Sequence, residues 1–177
     1  MTFHKLLIAN RGEIACRIIK SAHDMGISCV AVYVDADADS LFVKQADEAI
    51  RLSDSYLNSK EIIAAAKSTG AQAIHPGYGF LSENAKFSRD VLKEGLIWVG
   101  PNSRVITSMG DKLKAKVLAE KAGVPTLPMT TDPKKAGSIG FPVLIKAAAG
   151  GGGKGMRIVE TKKDLKESIL SAQREAL

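Results

Sequence analysis

Four consecutive glycines at 150–153, with Lys146 before them and Lys154 directly after, are the residues of this chain best suited to chemistry. A glycine run offers backbone N–H groups with no Cβ in the way and tolerates positive φ, so it can fold closely over an anion. The lysines add positive charge where a polyphosphate would sit. A flexible linker or a tight hairpin turn would also use glycines. The phosphate reading is preferred because two strand-like runs, 141–147 and 156–159, bracket the glycines and two cations accompany them. Other nucleotide signatures fit less well. A dinucleotide site would need G-x-G-x-x-G in the turn after the first strand, and that turn has one glycine, Gly12. Asp35 stands where a ribose-binding acid could lie, but without the glycines a pyrophosphate has no close backbone approach. No G-x-x-x-x-G-K-[ST] occurs, which excludes a Walker A loop.

The charge distribution points the same way. Residues 1–110 carry 12 Lys/Arg and 12 Asp/Glu, whereas residues 111–177 carry 13 against 7, so the net charge of +6 belongs to the segment that holds the glycines. A small polyanion such as ATP suits this local field better than nucleic acid, because no aromatic interleaving, zinc-finger spacing or RNA-binding signature accompanies the lysines. A plain solvated lysine face explains part of it. With 45% hydrophobic and 25% charged residues, the composition is that of an ordinary globular chain, long enough for one good core or one and a half. No apolar run reaches the roughly 18 residues of a membrane-spanning helix, and the N-terminus lacks a signal-peptide pattern. The expectation is therefore no membrane association and a cytoplasmic location, or the mitochondrial matrix if a targeting segment is absent from this sequence. Cys16 and Cys29 fall in a helical and a strand pattern with no metal-ligand spacing; they read as buried core thiols of a reducing compartment, and no metal ligands are assigned.

The elements that must position the glycines and lysines follow from periodicity. Residues 6–9 are a compact apolar strand, residues 10–13 a turn, and Ile14, Ile18, Ala22 and Met25 recur at helical spacing until Gly26 closes the helix. Residues 28–34 form the next β-branched strand, and Asp35, Asp37 and Asp39 mark its polar exit. Asn58 with Glu61 is a capping box for a helix ending at Gly70, and 71–75 is a third strand. Ser82 is read as the cap of a helix ending at Gly95, with a fourth strand at 96–99. Strands alternating with helices at this spacing predict a doubly wound α/β domain with a parallel sheet, whose ligands bind outside the carboxyl ends of the strands, where residues 10–12 and 75–79 fall. Arg11 and Glu13 are read as an ion pair locking the first turn, and His75 as a satisfied strand-end histidine. Beyond Asn102 the pattern becomes helical, with a helix that stops at Gly123 ahead of Pro125 and a domain boundary near Gly110. Thr161 and Asp164 cap a final helix that runs to Leu177 without a stop signal, so the chain reads as cut rather than finished.

The strings at 7–17, 56–58, 73–84 and 109–112, with 145–147 and 150–156, are similar in order and spacing to the N-terminal part of biotin carboxylase. This is the ATP-grasp module of acetyl-CoA, propionyl-CoA, methylcrotonyl-CoA and pyruvate carboxylases. The resemblance spans essentially the whole chain, and the string at 74–84 is highly specific. It implies two domains, an N-terminal α/β domain over 1–110 and an incomplete ATP-grasp lid over 111–177. It also implies ATP-dependent carboxylation of biotin by bicarbonate through carboxyphosphate, with ATP, Mg2+ and carrier-borne biotin as the reacting groups. Lys112 and Lys146 would contact ATP phosphates or adenine-side groups, and Gly152, Gly153 and Met156 would form the lid loop and adenine pocket, with lysines as point charges and backbone N–H groups as a cradle. Tyr78 and Glu83 would face the biotin end of the site.

The implied partners are a biotin carboxyl carrier, a carboxyltransferase that selects the final acceptor in acyl-CoA or keto-acid metabolism, and a second copy in the full-length form. Two departures stand out. The 129–140 connection is shorter than the resemblance implies, where an additional helix is expected. The magnesium-binding acids and the groups that handle bicarbonate fall beyond Leu177, so no catalytic residue is assigned here and the expectation is a chain inactive by itself. The competing readings are another ATP-grasp ligase of the carbamoyl-phosphate synthetase or glycinamide ribonucleotide synthetase type, and a non-catalytic folding or dimerisation fragment.

Overall fold

The computed structural model describes residues 3–146 and 156–176, which form two compact units divided between Asp111 and Lys112. The first unit is built on five parallel strands. β1 (Lys5–Ile8) leads into α1 (Gly12–Asp24), β2 (Ser28–Tyr33), a 3-10 turn at Asp35–Asp37, α2 (Leu41–Gln45) and β3 (Glu48–Arg51). There follow α3 (Ser59–Ser68), β4 (Ala73–His75), α4 (Ala85–Lys93), β5 (Ile97–Trp98) and α5 (Ser103–Gly110). The strand order is β3-β2-β1-β4-β5, so the chain winds outward from β1 in both directions, as doubly wound sheets do.

Strand alternation sorts the core into two layers. Leu7, Val30, Val32 and Ile74 point to one face, where Ile62 and Ala66 of α3, Phe87 and Val91 of α4, and Trp98 cover them. Leu6, Ile8, Cys29, Ala31 and Ala73 point to the other, under Ile14, Ala15, Ile18 and Ile19 of α1 and Phe42 of α2. A parallel sheet buried on both faces needs this near-continuous apolar run in β1 and β2. Cys29 is fully buried, and burial pushes its thiol pKa up to about 11, with the Asp47 carboxylate adding to the shift. Cys16 is half-buried rather than a core thiol, because its position on α1 faces the flank of the layer.

Two local expectations are corrected. The helix after β4 is capped by Asn84, whose side chain accepts the Phe87 N–H at 2.9 Å, and not by Ser82, which sits in a turn with its own N–H on Gly79 O at 2.9 Å. Strand β3 carries no pattern that would announce it: its sequence is EAIR, polar and short, and it pairs with β2 alone. Charged, brief strands are what sheet edges require. Consequently 71–75 and 96–99 contain the fourth and fifth strands, not the third and fourth.

The second unit comprises α6 (Lys112–Lys121), a 3-10 turn at Pro133–Lys135, α7 (Ala136–Ile139), β6 (Val143–Ile145), β7 (Arg157–Val159) and α8 (Leu165–Ala176). The short 129–140 connection thus still carries a four-residue helix. β6 and β7 pair antiparallel, Val143 with Val159 and Ile145 with Arg157, as a hairpin requires. α8 packs against them, burying Val159 and Ala172, and Arg157 pairs with Glu175 across the two elements. Thr161 Oγ1 donates to the Asp164 carboxylate at 2.7 Å at the entry to α8. Among the described residues no helix is long and apolar enough to cross a membrane.

Candidate functional site

The crevice at the carboxyl ends of β1 and β4, where the winding reverses, is organised by one buried amide. Asn10, 2% exposed, follows β1 and donates through Nδ2 to Pro76 O at 2.7 Å and Tyr78 O at 2.8 Å, while its Oδ1 accepts the Arg11 N–H at 2.9 Å. The loops after the two strands are therefore tied together by their backbones. Gly77 makes that approach possible: its φ is +64°, and a Cβ there would lie 2.6 Å from Asn10 Nδ2.

His75 closes β4 with its Nδ1 accepting the Gly77 N–H at 3.0 Å. Burial lowers its pKa, and the Arg17 charge acts in the same direction, so the ring is held neutral in the state that can accept. His75 is the satisfied strand-end residue anticipated from its position.

The expected Arg11–Glu13 pair does not form. Arg11 is the extended N-cap of α1, and its guanidinium crosses the end of β2 to grip Asp37, with Nε 2.6 Å from Oδ2 and Nη2 on Oδ1. Asp37 also accepts from the Tyr56 hydroxyl at 2.6 Å and is 4% exposed. The Arg11 hydrogen bond holds the Asp37 carboxyl well below its usual range against the opposing cost of burial, with Tyr56 helping. Burial, seconded by Asp37, pushes the Tyr56 phenol up to about 12. Arg11 lies 6.0 Å over the Tyr56 ring, and Tyr56 in turn meets Phe80 at 5.3 Å between centroids. Glu13, freed from Arg11, accepts the Tyr78 hydroxyl.

Of the residues singled out from the sequence, Tyr78 thus stands at the rim of this crevice, 58% exposed and pinned at its hydroxyl by Glu13. Glu83 is exposed in the turn before α4. Asp35, the rival ribose acid, is held by Arg51 of β3 at 2.5 Å and 2.8 Å. In the second unit, Lys112 is the exposed first residue of α6. Lys146 and Met156 directly follow and precede the paired residues Ile145 and Arg157, so the register sets them opposite one another, both exposed. Gly152 and Gly153 lie outside the described residues. Asp37 and Tyr56 went unrecognised as site-organising residues: they are brought to Arg11 from 26 and 45 positions away, and the alternating Asp35, Asp37 and Asp39 were the one local sign.

Chemically, the first unit offers a pre-organised wall with an exposed aromatic ring, and the second a hairpin end that joins a cation to a flexible thioether. A cation with apolar area suits a nucleotide, one part for phosphate and the other for a base.

Comparison with known proteins identifies the family. Residues 2–106 match the family model described as biotin carboxylase, N-terminal domain, and residues 111–177 match that of the carbamoyl-phosphate synthase L chain, ATP binding domain. The propionyl-CoA carboxylase alpha chain of Ruegeria pomeroyi is 50% identical over 98% of this chain and 28% of its own length. The mitochondrial methylcrotonoyl-CoA carboxylase subunit alpha of Glycine max is 54% identical over 97% of this chain and 25% of its own. Among solved structures, a biotin carboxylase complex with a β,γ-ATP ligand from Campylobacter jejuni superposes with a TM-score of 0.91 at 45% identity, covering 99% of this chain and 42% of that one. The biotin carboxylase domain dimer of Hydrogenobacter thermophilus 2-oxoglutarate carboxylase, solved with MgADP, ADP and bicarbonate, gives 0.90 at 43% identity, with the same 99% and 42% coverage. The chain spans about a quarter of the length of the curated relatives it matches. With the first family model covering more than half of its residues, the chain belongs to the biotin carboxylase family.

Proposed function

We propose that this chain supplies the N-terminal α/β domain and the nucleotide-binding hairpin of a biotin carboxylase, an ATP-dependent carbon–nitrogen ligase that carboxylates carrier-borne biotin with bicarbonate. The hairpin register carries the reading, because it sets Lys146 across from Met156 at the two ends of the glycine run. Lys146 and Lys112 act as point charges on the ATP phosphates, Gly152 and Gly153 offer backbone N–H groups, and Met156 packs on the adenine. Tyr78, its ring fixed by the hydrogen bond to Glu13, borders the biotin end with Glu83. Magnesium, when bound, neutralises phosphate charge, and its carboxylate ligands belong to the remainder of the enzyme. By itself the 177-residue chain binds nucleotide without turning it over. Its partners are a biotin carrier, a carboxyltransferase and a second copy of the full-length subunit, in the cytoplasm or the mitochondrial matrix.

The test is calorimetric titration of the chain with ATP, alongside an assay of biotin-dependent ADP release. Saturable binding without biotin-dependent turnover is expected. Absence of nucleotide binding would overturn the site assignment, and turnover by the chain alone would overturn its dependence on the remaining segment.

A further inference from the structure

At the opposite, amino-terminal edge of the five-stranded sheet, three ligand-type side chains converge from separate elements. His23 lies in the last turn of α1, Cys29 is the second residue of β2, and Asp47 immediately precedes β3. One imidazole nitrogen, the thiol sulfur and a carboxylate oxygen lie within 4.8 Å of one another. Asp47 is oriented from two sides, its Oδ2 accepting the Cys29 backbone N–H at 2.7 Å and meeting His23 Nε2 at 2.9 Å. Its own N–H returns to Cys29 O at 3.0 Å. The Cys29 thiol, by contrast, makes a long 3.8 Å contact with Ile27 O, which is weak satisfaction for a fully buried group.

We propose that His23, Cys29 and Asp47 bind a divalent cation of the zinc class, clipping the end of α1 to β2 and the edge strand β3.

The donor set selects the ion. One imidazole, one thiolate and one carboxylate suit zinc or cobalt, whereas magnesium prefers an all-oxygen octahedron, so this site is distinct from any metal that accompanies a nucleotide. Thiolate and carboxylate together neutralise a dication, with the imidazole neutral. Tetrahedral bonds of about 2.0–2.3 Å put ligand atoms roughly 3.3–3.7 Å apart. His23 and Asp47, 2.9 Å apart, need to open slightly from each other while keeping within reach of the sulfur, and their exposed side chains have the freedom to do so.

Binding replaces the Sγ–H bond by an Sγ–metal bond and the His23–Asp47 hydrogen bond by two metal bonds. The thiol proton leaves to solvent, the His23 Nε2 proton is exchanged through solvent so that the neutral ring carries its proton on Nδ1, and no redox change is involved. The Cys29 N–H bond to Asp47 then serves as an outer-shell contact that orients the carboxylate. Water completes the fourth position from the solvent-facing side, where the His23 and Asp47 side chains are exposed. The spacing 23, 29, 47 resembles no metal motif, which is why the sequence assigned none; the parallel register of β2 and β3 creates the cluster.

Titration of the intact chain with Co2+ tests this directly. One equivalent should produce a thiolate-to-cobalt charge-transfer band that Zn2+ abolishes by displacement. Cys29→Ser should eliminate the band, His23→Gln and Asp47→Asn should each weaken binding at least about tenfold, and Cys16→Ser should leave both unchanged. Because Cys29 is buried and its variant could misfold, the exposed His23→Gln and Asp47→Asn variants carry the decision independently. No charge-transfer band, a band lost in Cys16→Ser, or unchanged affinity in both His23→Gln and Asp47→Asn would overturn the site. ATP titration of the same variants should be unaffected, which separates failure here from failure of the nucleotide reading.

Discussion

The two units differ in where the polar residues singled out for function stand. In the first, the polar side chains at the crevice bond to one another: Asn10 to two carbonyls, Arg11 and Tyr56 to Asp37, and Tyr78 to Glu13. In the second, Lys146 and Met156 stand exposed at a hairpin end, over a small core that includes Ala136, Val159 and Ala172. A wall that must hold its shape is stabilised by internal partners. Under the proposed function, a hairpin that grips a charged ligand keeps Lys146 near solvent. Substitutions in the first unit should therefore read out as stability, and those in the second as binding.

The largest effect should come from Asp37→Ala. It leaves the Arg11 fork and the Tyr56 hydroxyl without their shared acceptor. Breaking a buried pair costs about 3–5 kcal/mol. Because the Arg11 side chain is 48% exposed and can rehydrate, about 3 kcal/mol at neutral pH is expected from urea denaturation. The acid dependence gives this a second signature. The folded pKa of Asp37 is lowered, so its contribution is complete above the unfolded value of about 3.9 and is lost as pH falls through the lower folded value. The gap between wild type and variant should be constant at neutral pH and narrow below about pH 4. A gap that is small or that persists undiminished in acid would mean the crevice wall is not held by this carboxylate.

A smaller loss should follow Gly77→Ala, which tests the close approach instead of the charge. A side chain at φ +64° costs about 1–2 kcal/mol, and the new Cβ would also displace Asn10 from its two carbonyls. We expect a total of about 2 kcal/mol by thermal or urea denaturation. An unchanged midpoint would show that the β1 and β4 loops are held by something other than Asn10.

These two positions also mark the limit of what the sequence reveals. β1, α1 and β2 were legible because two-residue and 3.6-residue periods are properties of neighbouring residues, and the Asn58–Glu61 box because a cap and its partner are three apart. At α4, Ser82 and Asn84 are both good caps, and the turns that seat Asn84 decided between them. β3 hid because an edge strand satisfies only one neighbour and needs little apolar pattern. The Arg11–Asp37–Tyr56 cluster was least accessible of all: adjacent residues suggested Arg11–Glu13, whereas the partners are fixed by where β2 ends, which no local spacing encodes. In the second unit the hairpin was readable from the apolar runs, and the residues at its ends could be named from charge and resemblance together.

The smallest effect on stability, and the sharpest on binding, is expected for Lys146→Ala. Lys146 lies just outside the β6–β7 ladder and is exposed, so removing its side chain subtracts no backbone hydrogen bond and no core contact. The melting temperature should not move. A point charge near a polyphosphate contributes a charge-assisted contact, so the affinity for ATP should fall about tenfold, more at low ionic strength than at high. The salt dependence is the discriminating readout, because loss of a packing contact would weaken binding equally at both. If instead the variant unfolds at a lower temperature while its ATP affinity per folded molecule is unchanged, Lys146 stabilises the hairpin, and the contrast between a self-bonded wall and a ligand-facing lid fails at the residue where it was drawn most sharply.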